Sequence, residues 1–180
     1  KGANIEAKNN IGQTPLFEAV QNNNNSSLIL IRHGADIHTR DEIGNSVLHF
    51  SVHNIYTAKE ISAYLIKLGI SPNIRNNNGE TPLHMSIRKG SIDGFEILLD
   101  KGANPNLANK YGQVPLHYAL EELTISKQRY ISKLAKAGAE MNYINNQGDN
   151  PLHVFIKNRP SRAKDVINTL INCGTRLDYK

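Results

Sequence analysis

Apolar residues along the chain fall in short bursts, and the bursts recur. Each of SLILIRHG, ISAYLIKLG, FEILLDKG, YISKLAKAG and VINTLINCG places apolar side chains three and four residues apart, then stops at a glycine. That spacing gathers the apolar residues on one helix face, and the glycine suits the left-handed residue that closes a helix. Upstream of each burst stands a near-constant phrase: IGQTPLF at 11–17, IGNSVLH at 43–49, NGETPLH at 78–84, YGQVPLH at 111–117 and QGDNPLH at 147–153. Pro15, Pro82, Pro115 and Pro151 sit where a helix begins; proline there loses no useful N–H, and its φ is already helical. Thr14, Ser46 and Thr81 stand one residue earlier, where a hydroxyl can cap the helix, and Asn150 keeps a capping side chain. Val114 lacks one, so its helix is expected to start less firmly, and Val47 replaces the proline of the second phrase. Leu16, Leu48, Leu83, Leu116 and Leu152 are expected on the buried face of this first, short helix.

The pattern is periodic. Gly12, Gly44, Gly79, Gly112 and Gly148 follow one another at intervals of 32, 35, 33 and 36 residues. A second series, Gly2, Gly34, Gly69, Gly102, Gly138 and Gly174, closes the units. Two helices per unit make an antiparallel pair that cannot bury its apolar sides alone, so stacking must supply the core. The first glycine series predicts a tight turn with positive φ at the tip of a hairpin-like finger. Asn9, Asp41, Asn76, Asn109 and Asn145 precede it, and their side chains are expected to fold back onto local N–H groups. Small residues recur within the first helix (Ala19, Ser51, Ser86, Ala119), as close neighbours require. Phe155 breaks that series, so the last unit is expected to be atypical.

These units resemble ankyrin repeats. The copy nearest the family pattern is NNNGETPLHMSIRKGSIDGFEILLDKGANPNLA at 76–108, with the T-P-L-H opening, the Leu98–Leu99 pair and the G-A-x-x-N close. The resemblance covers essentially the whole chain and divides it into a partial unit 1–8 and repeats 9–40, 41–75, 76–108, 109–144 and 145–180. It implies an all-α solenoid of stacked helix-turn-helix units with hairpin-like fingers. Because KGANIEAK reads as the tail of a unit, more repeats are expected upstream.

Composition narrows the chemistry. Apolar residues make up 39% and charged residues 21% of 180, which fits a globular chain with a real core. The opening is polar, with no signal peptide, and no run reaches the roughly 18 apolar residues of a membrane span. Cys173 is the only cysteine, so no internal disulfide forms, and an intracellular setting is expected. Cys173 itself reads as a small, partly buried side chain near a helix end. The formal charge of +5 permits an acidic partner but is modest for a nucleic-acid binder. The abundant asparagines, including runs at 22–25 and 76–78, read as the mark of an AT-rich genome.

Four of the seven histidines, His49, His84, His117 and His153, stand in the repeated phrase. They lie one repeat apart, roughly 10 Å in stacked helices, whereas a metal reaches about 2 Å to each ring nitrogen. They cannot share an ion, and each is expected to bridge backbone groups of neighbouring fingers instead. Phe17 takes this place in the first repeat. No phosphate-loop, nucleophile-elbow or paired-histidine zinc motif is present. Glu121 and Glu122 point about 100° apart on a helix and make poor acid–base partners. The chain is therefore expected to be no enzyme and to use no cofactor.

The resemblance implies protein–protein interaction as a monomer, with the partner held on the concave finger and first-helix side. By position, the fingers contribute Asn10, Ile11 and Gln13; Arg40, Glu42, Ile43 and Asn45; Arg75, Asn77, Asn78 and Glu80; Lys110, Tyr111 and Gln113; and Asn146, Gln147 and Asp149. The first helices add Gln21, His53, Arg88, Lys89, Glu121 and Lys157. Tyr111, Arg75 and Arg88 are the leading anchors, since aromatic and Arg side chains dominate interfaces. Competing readings are a structural or autoinhibitory spacer in a larger protein, and a host-directed effector or ubiquitin-ligase adaptor of an intracellular microbe or virus. Three units carry extra residues between their helices: HNIYTAKE, EELTISKQR and KNRPSRAKD. The last two, with Lys133 nearby, make a basic group of Lys127, Arg129, Lys133, Arg159, Arg162 and Lys164 that reads first as a solubility feature. An acidic docking site, an anionic membrane or nucleic acid is the weaker reading, and neither membrane nor nucleic acid is an expected partner.

Overall fold

Proline and glycine punctuate the chain where the periodicity places them. The computed structural model describes residues 2–22, 25–53, 58–121, 127–158 and 163–175. Arg159 and Arg162 lie outside the described residues, as do 54–57, 122–126 and 160–161 of the three insertions. The described residues form ten short α-helices and no extended strand: α1 (Pro15–Gln21), α2 (Ser26–Arg32), α3 (Val47–Ser51), α4 (Ala58–Lys67), α5 (Pro82–Arg88), α6 (Ile92–Asp100), α7 (Pro115–Glu121), α8 (Lys127–Lys136), α9 (Pro151–Lys157) and α10 (Ala163–Asn172). The chain divides into two compact units, Lys1–Ala103 with α1 to α6 and Asn104–Lys180 with α7 to α10.

Within the first unit, α1 packs on α2, α3 on α4 and α5 on α6, and first helices also pack on first helices. The second unit repeats this with α7 on α8, α9 on α10, α7 on α9 and α8 on α10. A pair of two- or three-turn helices cannot bury both apolar sides alone, and contact with the next pair covers the remainder. Leu16, Leu48, Leu83 and Leu116 are fully buried, while Leu152, expected with them, is half-buried. Leu65, Leu98, Leu134 and Leu170, four before the last four closing glycines, are fully buried, and Leu30, four before Gly34, is half-buried. Ile156 is 50% exposed, although Val20, Val52, Ile87 and Leu120 are buried at the same place in the earlier first helices. Phe155 is buried, so the last first-helix accommodates a ring where the others hold Ala or Ser.

Helix starts depend on the histidine of the repeated phrase as much as on the residue before the proline. In three repeats the N-cap residue and the histidine three positions on form a reciprocal box: Ser46 with His49, Thr81 with His84, and Asn150 with His153. Imidazole fills the role usually given to Glu or Gln. The Ser46 and Thr81 N–H groups each donate to the ring Nδ1 at 3.1 Å. Val114 has no capping oxygen, yet its N–H still donates to His117 Nδ1 at 3.2 Å, and α7 is seven residues long, as are α1, α5 and α9. Thr14 lacks a histidine partner; its hydroxyl makes no cap bond and is buried without one, contrary to expectation. Where Val47 replaces proline, α3 is the shortest helix at five residues.

Asparagines also join repeats at the ends of the second helices. Asn73 donates its side-chain N–H to the Gly102 carbonyl at 3.3 Å. In the second unit Asn106 donates to Gly138 at 2.9 Å and Asn142 to Gly174 at 3.2 Å. Asn106 Oδ1 accepts the Glu140 N–H at 2.8 Å as well. These are the asparagines of the G-A-x-x-N close, so part of the asparagine excess serves to link one repeat to the next.

Candidate protein-binding surface

Each finger is built around one Asn or Asp side chain. Asn9 Oδ1 accepts the N–H groups of Ile11 and Gln13 at 3.1 and 3.0 Å, while Gly12 N–H returns to the Asn9 carbonyl at 3.0 Å. Asp41, Asn76, Asn109 and Asn145 repeat the arrangement. An acceptor two and four residues upstream satisfies the turn's orphan donors, as the sequence led us to expect. An isolated antiparallel bridge from Arg40 to Ser46 gives the second finger its hairpin character.

Successive fingers are tied through their tips. Glu42 N–H donates to the Ile11 carbonyl at 3.2 Å and Asn77 N–H to the Ile43 carbonyl at 3.0 Å; in the second unit Asn146 N–H donates to the Tyr111 carbonyl at 3.1 Å. Asn77 and Asn146 add side-chain bonds to the carbonyls of Glu42 and Lys110 at 3.2 and 3.1 Å. The approach is close: a Cβ on Gly44, at φ +77°, would lie 2.9 Å from Asn77 N, and one on Gly112, at φ +73°, 2.7 Å from Asn146 N. The histidines make a second tie. His49 Nε2 meets the Glu80 carbonyl at 3.1 Å and His117 Nε2 the Asp149 carbonyl at 3.2 Å. With Nδ1 accepting from the backbone, the proton sits on Nε2 and the ring is neutral. Burial, partly offset by the bond to the Glu80 carbonyl, lowers the His49 pKa from 6.5 to about 4, and burial lowers that of His117.

With their backbone groups committed, the tips expose apolar side chains. Ile11 is 54% exposed, Ile43 56% and Tyr111 57%. Arg40, Glu42, Arg75, Asn77, Arg88, Lys89, Lys110, Glu121, Gln147 and Lys157 are exposed too, while His53 and Gln113 are half-buried. Arg40 nevertheless serves the scaffold: its Nη1 donates to the Gly44 and Arg75 carbonyls at 2.7 and 2.8 Å, clamping its own finger to the next. Lys110 lies over the Tyr111 ring at 5.1 Å, a cation–π distance that steadies the aromatic tip.

Four predicted contact residues require correction. Gln13, Asn45, Glu80 and Asp149 are buried at 6%, 1%, 4% and 6% exposure. They follow the finger glycine, and the turn directs them back toward the first helix. Two of them pair eight residues on: Glu80 with Arg88 through two bonds, at 2.7 and 3.3 Å, and Asp149 with Lys157. Half-buried Gln113 pairs with Glu121 in the same register. Asn76 Nδ2 also donates to Glu80 and to Asn45. A buried polar group needs such partners, and these side chains stitch finger to helix. The sequence carried the signal: acid and base, or amide and acid, stand eight apart in three repeats.

Ile144, 46% exposed in the second unit, was missed. It holds the register of Lys8, Arg40, Arg75 and Ala108, and a large apolar residue where three of the other four are long basic side chains was the available clue. Among the described residues no group of three or more His, Cys, Asp or Glu side chains is placed to hold a metal ion. No described helix is long and apolar enough to cross a membrane.

Paired short helices, each pair preceded by a hydrogen-bonded finger and, within each unit, packed on a neighbouring pair, define a helical repeat protein of the recognition type. The chain belongs to the ankyrin repeat family: the family's three-repeat sequence model matches residues 1–76, 26–109 and 48–142. The fold is the all-α ankyrin repeat fold, a non-catalytic protein-interaction fold. Similar proteins include an ankyrin repeat protein of Acanthamoeba polyphaga mimivirus, 34% identical over 36% of this chain and 9% of its own length. An ankyrin repeat protein of fowlpox virus is 27% identical over 48% of this chain and 27% of its own length. Human protein phosphatase 1 regulatory subunit 27 is 39% identical over 39% of this chain and 46% of its own length. This chain therefore spans less than half the length of each of these relatives.

Proposed function

We propose that the chain binds a partner protein through its fingertips and the exposed ends of its first helices, without cofactor or catalysis, as a monomer inside the cell. In the first unit the contact set is Ile11, Glu42, Ile43, Asn77 and Lys89; in the second it is Lys110, Tyr111 and Gln147. The observation that carries this reading is the exposure of Ile11, Ile43 and Tyr111 by more than half, at tips whose turn amides are already bonded. Apolar groups held rigidly above a satisfied backbone bind with little ordering cost. Arg40, Arg75 and Arg88 frame the site, with Arg40 and Arg88 fixed by their scaffold bonds.

The test is site-specific photocrosslinking in the native host cell, with benzoylphenylalanine at 43 or 111 and at exposed Ala137 as the comparison position. The expected result is a specific adduct from 43 or 111, lost when Ile11 or Lys89 is changed to Asp, and none from 137. Equal labelling from all three positions, or none from the tips, refutes the reading.

A further inference from the structure

The formal charge is unevenly spread. Residues 1–103 hold ten Lys and Arg against ten Asp and Glu, whereas residues 104–180 hold eleven against six, so the whole excess of five belongs to the second unit. Much of it lies on one helix. The ten residues of α8, KQRYISKLAK, include four basic side chains and no acidic one. Arg129, Lys133 and Lys136 are exposed and stand at i, i+4 and i+7, which is a single stripe. Tyr130, Ile131 and Leu134 are buried on the opposite side. The helix packed on α8, α10, begins with exposed Lys164 and Asp165 after Ala163.

We propose that the stripe formed by Arg129, Lys133 and Lys136, extended by Lys164, docks an acidic polypeptide segment. It is separate from the fingertips and does not depend on their role. Arg129 and Lys133 are separated by about 6 Å of helix rise, four residues at 1.5 Å each. Carboxylates on one side of an extended strand recur at nearly the same interval, about 6.6 Å. The apolar residues of the stripe's own helix face inward, which leaves nothing to insert into a lipid surface. The helix exposes no aromatic ring for a nucleobase to stack on, and sequence-tolerant binding of single strands relies on such rings; duplex DNA, which needs none, is compared directly in the experiment. An acidic segment of a protein needs only the array of cations.

The experiment measures fluorescence anisotropy of a labelled decaglutamate peptide titrated with the whole chain, at about 50 and about 200 mM salt, where screening length halves. Duplex DNA of equal charge and phosphatidylserine vesicles are run in parallel. Peptide binding that weakens at least fivefold at the higher salt is expected. A further loss of at least tenfold is expected in the triple variant Arg129→Gln, Lys133→Gln, Lys136→Gln. The charge-keeping variant Lys133→Arg, Lys136→Arg binds as the parent does, and so does Lys67→Gln, Lys101→Gln in the first unit. Circular dichroism melting verifies that each variant is folded. Equal binding by the parent and the folded triple variant overturns the proposal. So does tighter binding to DNA or to vesicles than to the peptide.

Discussion

Repeats 9–40 and 41–75 fill the third position of the first helix in opposite ways. Phe17 is fully buried and meets Phe50 edge-to-face at 5.4 Å. His49 is just as buried, but it is held by polar bonds at both ring nitrogens, to Ser46 and to the Glu80 carbonyl. The ring gives the first repeat apolar area and leaves the Thr14 hydroxyl buried without a partner. The imidazole caps its helix and joins two fingers at the cost of desolvating a titratable group. One site can thus be stabilised by packing or by hydrogen bonding, and the two solutions should fail differently.

The largest effect is expected from Phe17→Ala, a loss of about 4 kcal/mol through cavity formation, read as a shift in the urea midpoint. Next is His49→Ala, about 3 kcal/mol, because the buried Ser46 N–H loses its acceptor and a void opens. If Phe17→Ala is the milder of the two, polar bonds outweigh ring packing at this site, and the comparison is reversed.

Acid separates them further. His49 has a folded pKa of about 4 and an unfolded value near 6.5, set by burial. Between those values the unfolded chain takes up the proton and the folded chain does not. Stability contributed by the neutral ring is therefore full above pH 6.5 and is lost as pH falls toward 4. Each pK unit is worth about 1.4 kcal/mol, so the span contributes roughly 3 kcal/mol. His53, lowered to about 4 chiefly by burial, and His117 add to the same slope. Thermal melts from pH 7 to 4 should decline less steeply for His49→Gln than for the parent, while Phe17→Leu keeps the parent's slope. An unchanged slope in His49→Gln would mean that other groups carry the acid sensitivity.

The same two repeats show how much was readable beforehand. Period, helix starts, finger glycines and the Asn and Asp fold-back all follow from local chemistry that a short stretch of sequence contains. The bridging role expected of the histidines is seen at His49 and His117, whereas exposed His153 bonds to Asn150 within its own repeat. The direction of the residue after the finger glycine was not readable: Asn45 turns in to partners at Asp41 and Asn76, and Glu80, Gln113 and Asp149 to partners eight residues on, across a turn and a helix start. Treating Glu80 and Arg88 as two independent contacts hid the bond between them. The bonds of the closing-loop asparagines were out of reach for a similar reason: Asn73, Asn106 and Asn142 act on carbonyls about thirty residues away, and composition cannot reveal that.

A smaller effect tests the contact between the fingers of these repeats. Gly44→Ala combines left-handed strain at φ +77° with a Cβ 2.9 Å from Asn77 N, and about 2 kcal/mol is expected. Gly34→Ala, at φ +88° with nothing within 4 Å, should cost only about 1 kcal/mol. Equal losses in chemical denaturation would show that finger contact adds nothing to backbone strain.

The smallest effect has the opposite sign. α1 has proline at its first position, whereas α3 has Val47 and is two residues shorter. Ser46, the residue before it, is extended at φ −89° and ψ 167°, the region a following proline requires. A first-position N–H has no partner within its helix, so Val47→Pro sacrifices no helical bond. It also restricts the unfolded chain, and at compatible sites that alone stabilises by about 0.4–1 kcal/mol. Val47 is fully buried, and Pro82 is buried at the same place in α5, so the ring has a precedent for its packing. We expect a net gain of about 0.5 kcal/mol, read as a small rise in melting temperature. In the Val47→Pro background His49→Ala should cost less than in the parent, since the helix start would then have a second support. An additive double variant would show that proline and histidine act on α3 independently, and that the short helix reflects its neighbours rather than its first residue.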